Sequence, residues 1–365
     1  MPRSPGSSPL ASLGEFGLID RLRRLVPAAG PGVTIGIGDD AAVLQCAGPV
    51  VATCDIQVEG VHFTWALCGP EDVGWRALAV SLSDIAAMGG VPRYALISLA
   101  LPAETTPATI EGIYRGLAEI AGAYDVRIVG GNISRTTGPL IVDVTALGSL
   151  DGSRHAVTRA GARPGDGVWV TGTVGGAAAG RFLLEHPEVR VPGAAALAAA
   201  YRRPTPRVQA GRVLAERPVS AMIDTSDGTA GDLLHLVEAS NVGVRLDEER
   251  LPQPQGLPQA ARAAGLDPAA WALGGGEDYE LLFTADREFD ARAPGAAEQM
   301  DVPLTRIGEI LPEPEGRWIV RPGGRRRPLA AQGWDHFSAT SRGRRAISRT
   351  PPTEHAGGGD ATTRR

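Results

Sequence analysis

The sequence contains no lysine, so its 36 basic residues are all arginine. That absence excludes the Walker A loop GxxxxGK[ST], pyridoxal-phosphate chemistry and Schiff-base catalysis, each of which needs a lysine amine. If the chain handles nucleotide phosphates, some other charge must neutralise them. Cysteine is scarce as well. Cys46, Cys54 and Cys68 have neither CxxC spacing nor a histidine-rich neighbour. Neither a disulfide framework nor a structural zinc site is expected, and the thiols read as small buried or half-buried groups. No apolar run approaches the ~20 residues that span a bilayer. The opening MPRSPGSSPL carries an arginine but no apolar segment behind it, unlike a signal peptide. No membrane partner and a cytoplasmic location are the resulting expectations.

What is present describes a globular chain. Its 365 residues are 43% hydrophobic and 21% charged, enough for two ordinary domains. The net charge of −5 is unevenly spread: residues 341–365 carry six arginines against Glu354 and Asp360, so the rest is more acidic than the total suggests. An acidic body argues against nucleic acid as a partner, because phosphate contacts need basic surface. The composition divides the chain into a flexible lead (1–13), an N-terminal α/β domain (14–150), a second α/β domain (151–340) and a basic, solvated tail (341–365).

Periodicity places the elements. An amphipathic helix is expected over Glu15–Leu25, strands over Val33–Ile37 and Val50–Cys54, and a helix from Pro70 to Met88 with Trp75, Leu78, Leu82 and Ile85 as its buried stripe. A strand over Arg93–Leu101 follows, then a helix from Pro107 to Tyr124 entered through a threonine cap. Val126–Val129 reads as a short strand ending in a Gly-Gly-Asn turn, with another strand over Pro139–Leu150. In the second half, strands are expected at Gly167–Thr173, Ser220–Ile223, Val242–Leu246, Asp278–Thr284, Leu304–Ile310 and Arg317–Val320. Helices are expected near 176–185, 193–201, 206–216 and 229–240.

Acidic residues recur at the ends of apolar segments, where solubility does not need them: Asp39 and Asp40, Asp55, Asp84, and Asp224 and Asp227 in DTSDG. One such aspartate is an ordinary cap or turn former. Several together would repel one another, and Mg²⁺ relieves that repulsion while keeping positions for substrate phosphates. Gly130-Gly131-Asn132, Gly175-Gly176 and Gly274-Gly275-Gly276 could let backbone N–H groups approach an anion, or could be plain turns in a chain with 48 glycines. Arg159 could fork onto phosphate oxygens or merely solvate the surface. His62, between Val61 and Phe63, fits either a core position or the wall of a cleft.

The ordered string GEFGLIDRL, IGDDAAV, TCDIQVEGVHF, GWRALAVSLSDIAAMGG, GGNISR, DTSDG, GGGEDYELLFT and GWDHF closely resembles the thiamine-monophosphate kinase family, within the superfamily of aminoimidazole ribonucleotide synthetase. The resemblance runs from about Gly14 to Phe337. It implies two mixed α/β domains and a homodimer pairing its N-terminal sheets. It further implies ATP and several Mg²⁺ ions as cofactors, with thiamine monophosphate as acceptor. By position, Asp40, Thr53, Asp55, Asp84, Asp224 and Asp227 resemble metal-binding residues, and Cys54 and Asn132 occupy metal-site positions. Tyr114, Gly131, Asn132, Arg159 and Ser226 match nucleotide contacts; His62, Glu277 and Trp334 match residues that hold the thiamine phosphate. Of these, Asp55, Asp84, Asp227 and Arg159 are the expected catalytic set.

Two positions depart from the family pattern. Cys54 stands where threonine is usual, and a thiol is a poor Mg²⁺ ligand; Asn132 stands where aspartate is common. The implied reaction joins two anions, so positioning and charge neutralisation are its central requirements. The acceptor phosphate is already ionised, which leaves no task for a general base. In-line transfer without a phosphoenzyme follows, with Arg159 beside the transferring group and Trp334 either covering a cationic thiazolium or packing as a terminal aromatic. Another ATP-using enzyme of the superfamily, or a non-catalytic nucleotide-binding regulator, is the alternative.

Overall fold

A computed structural model describes residues 18–26, 30–37, 41–46, 48–150 and 155–330. The first described residues form a helical turn over 18–23, which buries Leu18 and Leu22 as the amphipathic spacing predicts. A short ribbon pairs β1 (Val33–Ile35) with β2 (Val43–Leu44).

A four-stranded mixed sheet follows, in the order β3 (Val50–Val58), β6 (Ile141–Ser149), β4 (Val91–Leu101), β5 (Arg127–Arg135). Helices α1 (Pro70–Ala87) and α2 (Pro107–Ala123) cover one face. Both start as the sequence predicts. Pro70 occupies the first turn of α1, whose Asp72 carboxylate accepts the Gly69 N–H at 3.1 Å; Thr106 caps α2 by accepting the Thr109 N–H at 3.2 Å. The stripe expected on α1 understates its burial. Leu78, Leu82 and Ile85 are fully buried, but so are Ala77, Arg76 and Ser83 on other sides, because α1 lies between two sheets.

The second sheet has seven strands. They are β7 (Gly167–Thr171), β8 (Val219–Asp224), β9 (Gly243–Asp247), β10 (Leu281–Ala285), β11 (Leu304–Leu311), β12 (Arg317–Val320) and β13 (Arg326–Pro328), in the order β13-β12-β9-β11-β7-β10-β8. Alternation along its strands feeds two cores. Val168, Val170, Ile223 and Leu282 pack under α6 (Thr229–Ser240) and α8 (Pro268–Gly274); Trp169, Met222 and Phe283 join the cluster that contains Leu78 and Ile97 of the first sheet's layer. Three further helices, α3 (Gly176–Glu185), α4 (Ala194–Arg202) and α5 (Val208–Ala215), lie near their predicted places. Pattern reading missed α7 (Leu257–Ala263), α8 and α9 (Phe289–Met300). The last carries Pro294 inside it, a residue that argues against a helix when context is unknown.

Two strands differ from expectation in a way that matters for the site. β3 continues to Val58, so Asp55 lies inside a strand and not at its end. β5 continues to Arg135, so Gly130-Gly131-Asn132 is strand, paired in parallel with Leu96–Ser98, and not a turn. At Gly131 a β-carbon would sit 1.8 Å from the Ile97 carbonyl oxygen. The glycine serves strand contact there.

Candidate active site

Helix α1 gathers carboxylates from both sheets. On the side facing β3, the Ser81 hydroxyl donates to Asp55 at 2.9 Å, and the Thr53 hydroxyl donates to Asp84 at 2.5 Å. Thr53 and Asp55 share the helix-facing side of β3 because they are two residues apart. On the side facing the larger sheet, the Ser83 hydroxyl donates to Asp224, the last residue of β8, at 2.6 Å. Asp84 is thus the hinge of a group that neither sheet could assemble alone.

The electrostatics follow from that crowding. Burial, and then the charge of Asp84, push the Asp55 carboxyl up to about 6. Burial and the same neighbour push Asp224 up to about 7. Asp84 is raised by burial and lowered by its Thr53 bond and by Arg159. Arg159 is exposed, and its charge acts downward on both Asp84 and Asp224. Behind Asp224 lies Asp232, pushed up to about 8 by burial and by Asp224 and Asp227. Its carboxylate accepts the Gly228 N–H at 3.0 Å and so fixes the turn that carries Asp227. The sequence offered a signal for Asp232 that went unused: an acidic residue four positions beyond a glycine N-cap, in the first turn of α6.

Other expected residues are placed elsewhere. Asp40 and Trp334, with Asp39 and the GEF and GWDHF ends, lie outside the described residues. The Cys54 side chain points to the opposite face of β3 from Asp55, where its thiol donates to Asp143 at 3.3 Å. Cys54 and Cys46 are exposed, against the expectation of buried thiols; only Cys68 is buried. Asn132 follows Gly131 on exposed β5, with its own Oδ1 accepting the Ile133 N–H at 3.0 Å. Tyr114 is buried within the core beneath α2, which raises its hydroxyl far above the usual range. His62 is half-buried in the turn after β3, where its Nδ1 accepts the Val58 N–H at 3.0 Å.

The glycine turns proposed for anions are engaged by the protein itself. At Gly175-Gly176 the Asp278 carboxylate accepts the Gly175 N–H at 2.5 Å and the Ala177 N–H at 3.0 Å, filling the N-terminus of α3. Gly276, at φ +67°, lets its loop close on the other: a β-carbon there would lie 2.8 Å from the Ser226 carbonyl. The Glu277 N–H donates to that carbonyl at 2.7 Å, joining GGGED to DTSDG. Glu280 receives Arg207 and the Thr171 hydroxyl, the latter at 2.6 Å. The Glu277 carboxylate is paired with Arg76.

Both domains of the AIR synthase related proteins match, the N-terminal domain over residues 38–150 and the C-terminal domain over 163–321. The thiamine-monophosphate kinase of Bacillus subtilis (strain 168) is 36% identical over 312 residues, covering 84% of this chain and 94% of that protein. The chain belongs to the thiamine-monophosphate kinase family. Solved structures agree. The crystal structure of a thiamine-monophosphate kinase from Stenotrophomonas maltophilia K279a superposes with a TM-score of 0.75 at 36% identity, over 87% of this chain and 98% of that one. A family member, AaThiL, complexed with AMPPCP and TMP superposes at 0.69 and 34% identity, over 91% and 99%. Among the described residues no helix is long and apolar enough to cross a membrane.

The donors gathered at α1 are all oxygens, the set that suits a hard divalent cation. Among the described residues no three His, Cys, Asp or Glu side chains converge closely enough to hold a metal alone. Mg²⁺ fits such a partial set, because it retains waters or takes phosphate oxygens for its remaining positions.

Proposed function

We propose that this chain transfers the γ-phosphate of ATP to thiamine monophosphate, giving thiamine diphosphate and ADP. The observation that carries the reading is the convergence of Asp55, Asp84 and Asp224 on one helix in a member of this kinase family. Asp55, Asp84, Asp224 and Asp227 would hold Mg²⁺, with Asp40 and Thr53 as further candidates; Cys54 and Asn132 could act only from the sheet's other face or edge. Bound there, Mg²⁺ would supply the positive charge that lets two anionic phosphates approach. Arg159 is suited to the transferring group, since its charge already acts on Asp84 and Asp224 and it can fork onto phosphate oxygens. The acceptor oxygen is ionised at neutral pH, so a direct in-line displacement needs no base from the protein. Gly131, Asn132, Tyr114 and Ser226 remain the proposed nucleotide contacts, and His62, Glu277 and Trp334 the acceptor contacts.

A homodimer belongs to the same reading. The face of the four-stranded sheet away from α1 is uncovered, with Val50 and Ile56 each 47% exposed beside Ala52 and Cys54. A second copy laid on this face would bury them. A cytoplasmic location also belongs to this reading.

The test is direct. Purified protein with ATP, Mg²⁺ and thiamine monophosphate should form thiamine diphosphate and ADP, and Asp55→Asn should abolish product while keeping the wild-type circular dichroism spectrum. Full activity in Asp55→Asn would refute the metal role. ATP turnover only with a different acceptor would refute the substrate assignment. A phosphorylated protein intermediate would refute direct transfer.

A further inference from the structure

Arg76 is a charge where the packing offers no solvent. It sits in α1 between the two sheets and is 0% exposed, the largest fully buried side chain among the described residues. A buried guanidinium must be compensated by hydrogen bonds and charge. Arg76 finds both in the second lobe: one terminal nitrogen donates to the Tyr201 carbonyl, the other to Oε1 of Glu277. Its plane lies over the Tyr201 ring, 4.9 Å from the centroid. Its Nε has no hydrogen-bond partner among the described residues, so orientation is set by these two contacts and the ring.

Glu277 is an unusual place to end such a contact. Its backbone is left-handed at φ +62°, as is that of Tyr279 at φ +53°, a conformation that side-chain-bearing residues keep only when neighbours hold it. The holders are visible. The Glu277 and Tyr279 N–H groups donate to the Ser226 and Thr225 carbonyls, at 2.7 and 2.9 Å, and Asp278 is locked onto the start of α3. The carboxylate of Glu277 stays partly exposed, with Oε1 taken by Arg76 and Oε2 without a protein partner among the described residues.

We infer that Arg76 is a positioning residue for the acceptor: it fixes Glu277 so that Oε2 faces the acceptor at a set distance from the carboxylates on α1. The inference rests on the proposed reading in which Glu277 holds thiamine monophosphate. Arg76 and Asp84 lie two turns apart on one rigid helix. Acceptor and metal-bearing groups therefore share a single ruler, and the Glu277–Ser226 bond ties its far end back to the DTSDG loop.

The experiment compares wild type, Arg76→Lys, Arg76→Met and Glu277→Gln in steady-state kinetics with each substrate varied, alongside thermal unfolding. Misplacing a binding group by an ångström costs roughly tenfold to a hundredfold. KM for thiamine monophosphate should rise by about that factor in Arg76→Met and Glu277→Gln, while KM for ATP changes less than about twofold. Arg76→Lys keeps the charge but cannot span both partners, so it should recover part of the loss. If Arg76→Met does not accumulate folded, Arg76→Lys and Glu277→Gln carry the same split. Equal changes in both KM values, or an Arg76→Lys enzyme with wild-type acceptor KM, would overturn the inference. A wild type that forms no thiamine diphosphate would overturn the functional reading, and the inference with it.

Discussion

Asp224→Asn should make the metal-free protein more stable while destroying its activity. The reasoning starts from burial: Asp224 is 3% exposed and shares its surroundings with Asp84 and Asp55. Its carboxyl is raised from 3.8 to about 7. A tenfold weaker acid in the folded state corresponds to roughly 1.4 kcal/mol, so the ionised group costs the fold on the order of 4 kcal/mol at pH 8. Below pH 3.8 the group is protonated whether folded or not, and the cost is absent. Between 3.8 and about 7 the unfolded chain releases its proton first, so stability falls as pH rises; above 7 the whole cost is present. Asparagine removes the charge yet can still accept the Ser83 hydroxyl. Thermal unfolding in EDTA at pH 8 should therefore show Asp224→Asn melting about 4–8 °C above wild type, at roughly 1–2 °C per kcal/mol for a long chain. Near pH 4 the gap should close. Millimolar Mg²⁺ should also narrow it at pH 8, because only the wild type gains binding energy in the folded state. An asparagine variant no more stable than wild type at pH 8 in EDTA would refute the claim that this carboxylate is held at a cost. A gap that ignores pH would refute the titration as its cause.

Two further outcomes test the placement of individual residues. Gly131→Ala should destabilise by about 2 kcal/mol or more, read as a drop in the urea midpoint, because its β-carbon would collide with the Ile97 carbonyl in the neighbouring strand. Cys54→Thr should leave the Mg²⁺ dependence of activity within about twofold of wild type, since its side chain points away from Asp55 and toward Asp143. A changed Mg²⁺ requirement would show that a hydroxyl at this position contributes to the metal site.

Much of the candidate site was legible in the sequence because acids in apolar surroundings are conspicuous. Asp55, Asp84 and Asp224 stood out singly, but the helix that joins them did not: α1 looked like a one-sided stripe, and its serines gave no sign of their partners. Arg76 was readable in principle as the single charge between Asp72 and Asp84 in an otherwise apolar and small-residue stretch. What hid it was the assumption that a helix of this kind has a wet side, which a second sheet removes. The glycine doublets misled for the opposite reason. Gly131 and Gly276 are required by close backbone approach, at a strand and at a loop contact, and nothing local distinguishes that need from an anion-binding turn. Of the acids in GGGEDYE only Glu277 was expected at the site; Asp278 and Glu280 are committed to the start of α3 and to Arg207.

These commitments bear on the missing lysine. Three buried or half-buried arginines are already paired: Arg76 with Glu277, Arg207 with Glu280, and Arg203 with Asp72. Arg159 then acts on Asp84 and Asp224, which sit among Asp55, Asp227 and Asp232. One guanidinium cannot balance that many carboxylates, and a triphosphate arriving beside them would deepen the deficit. A lysine would add one further charge at one point. Divalent cations shared between protein and phosphate oxygens would add two each, and only while the nucleotide is bound. Charge that arrived with the substrate would offset the crowding that already raises Asp55 and Asp224.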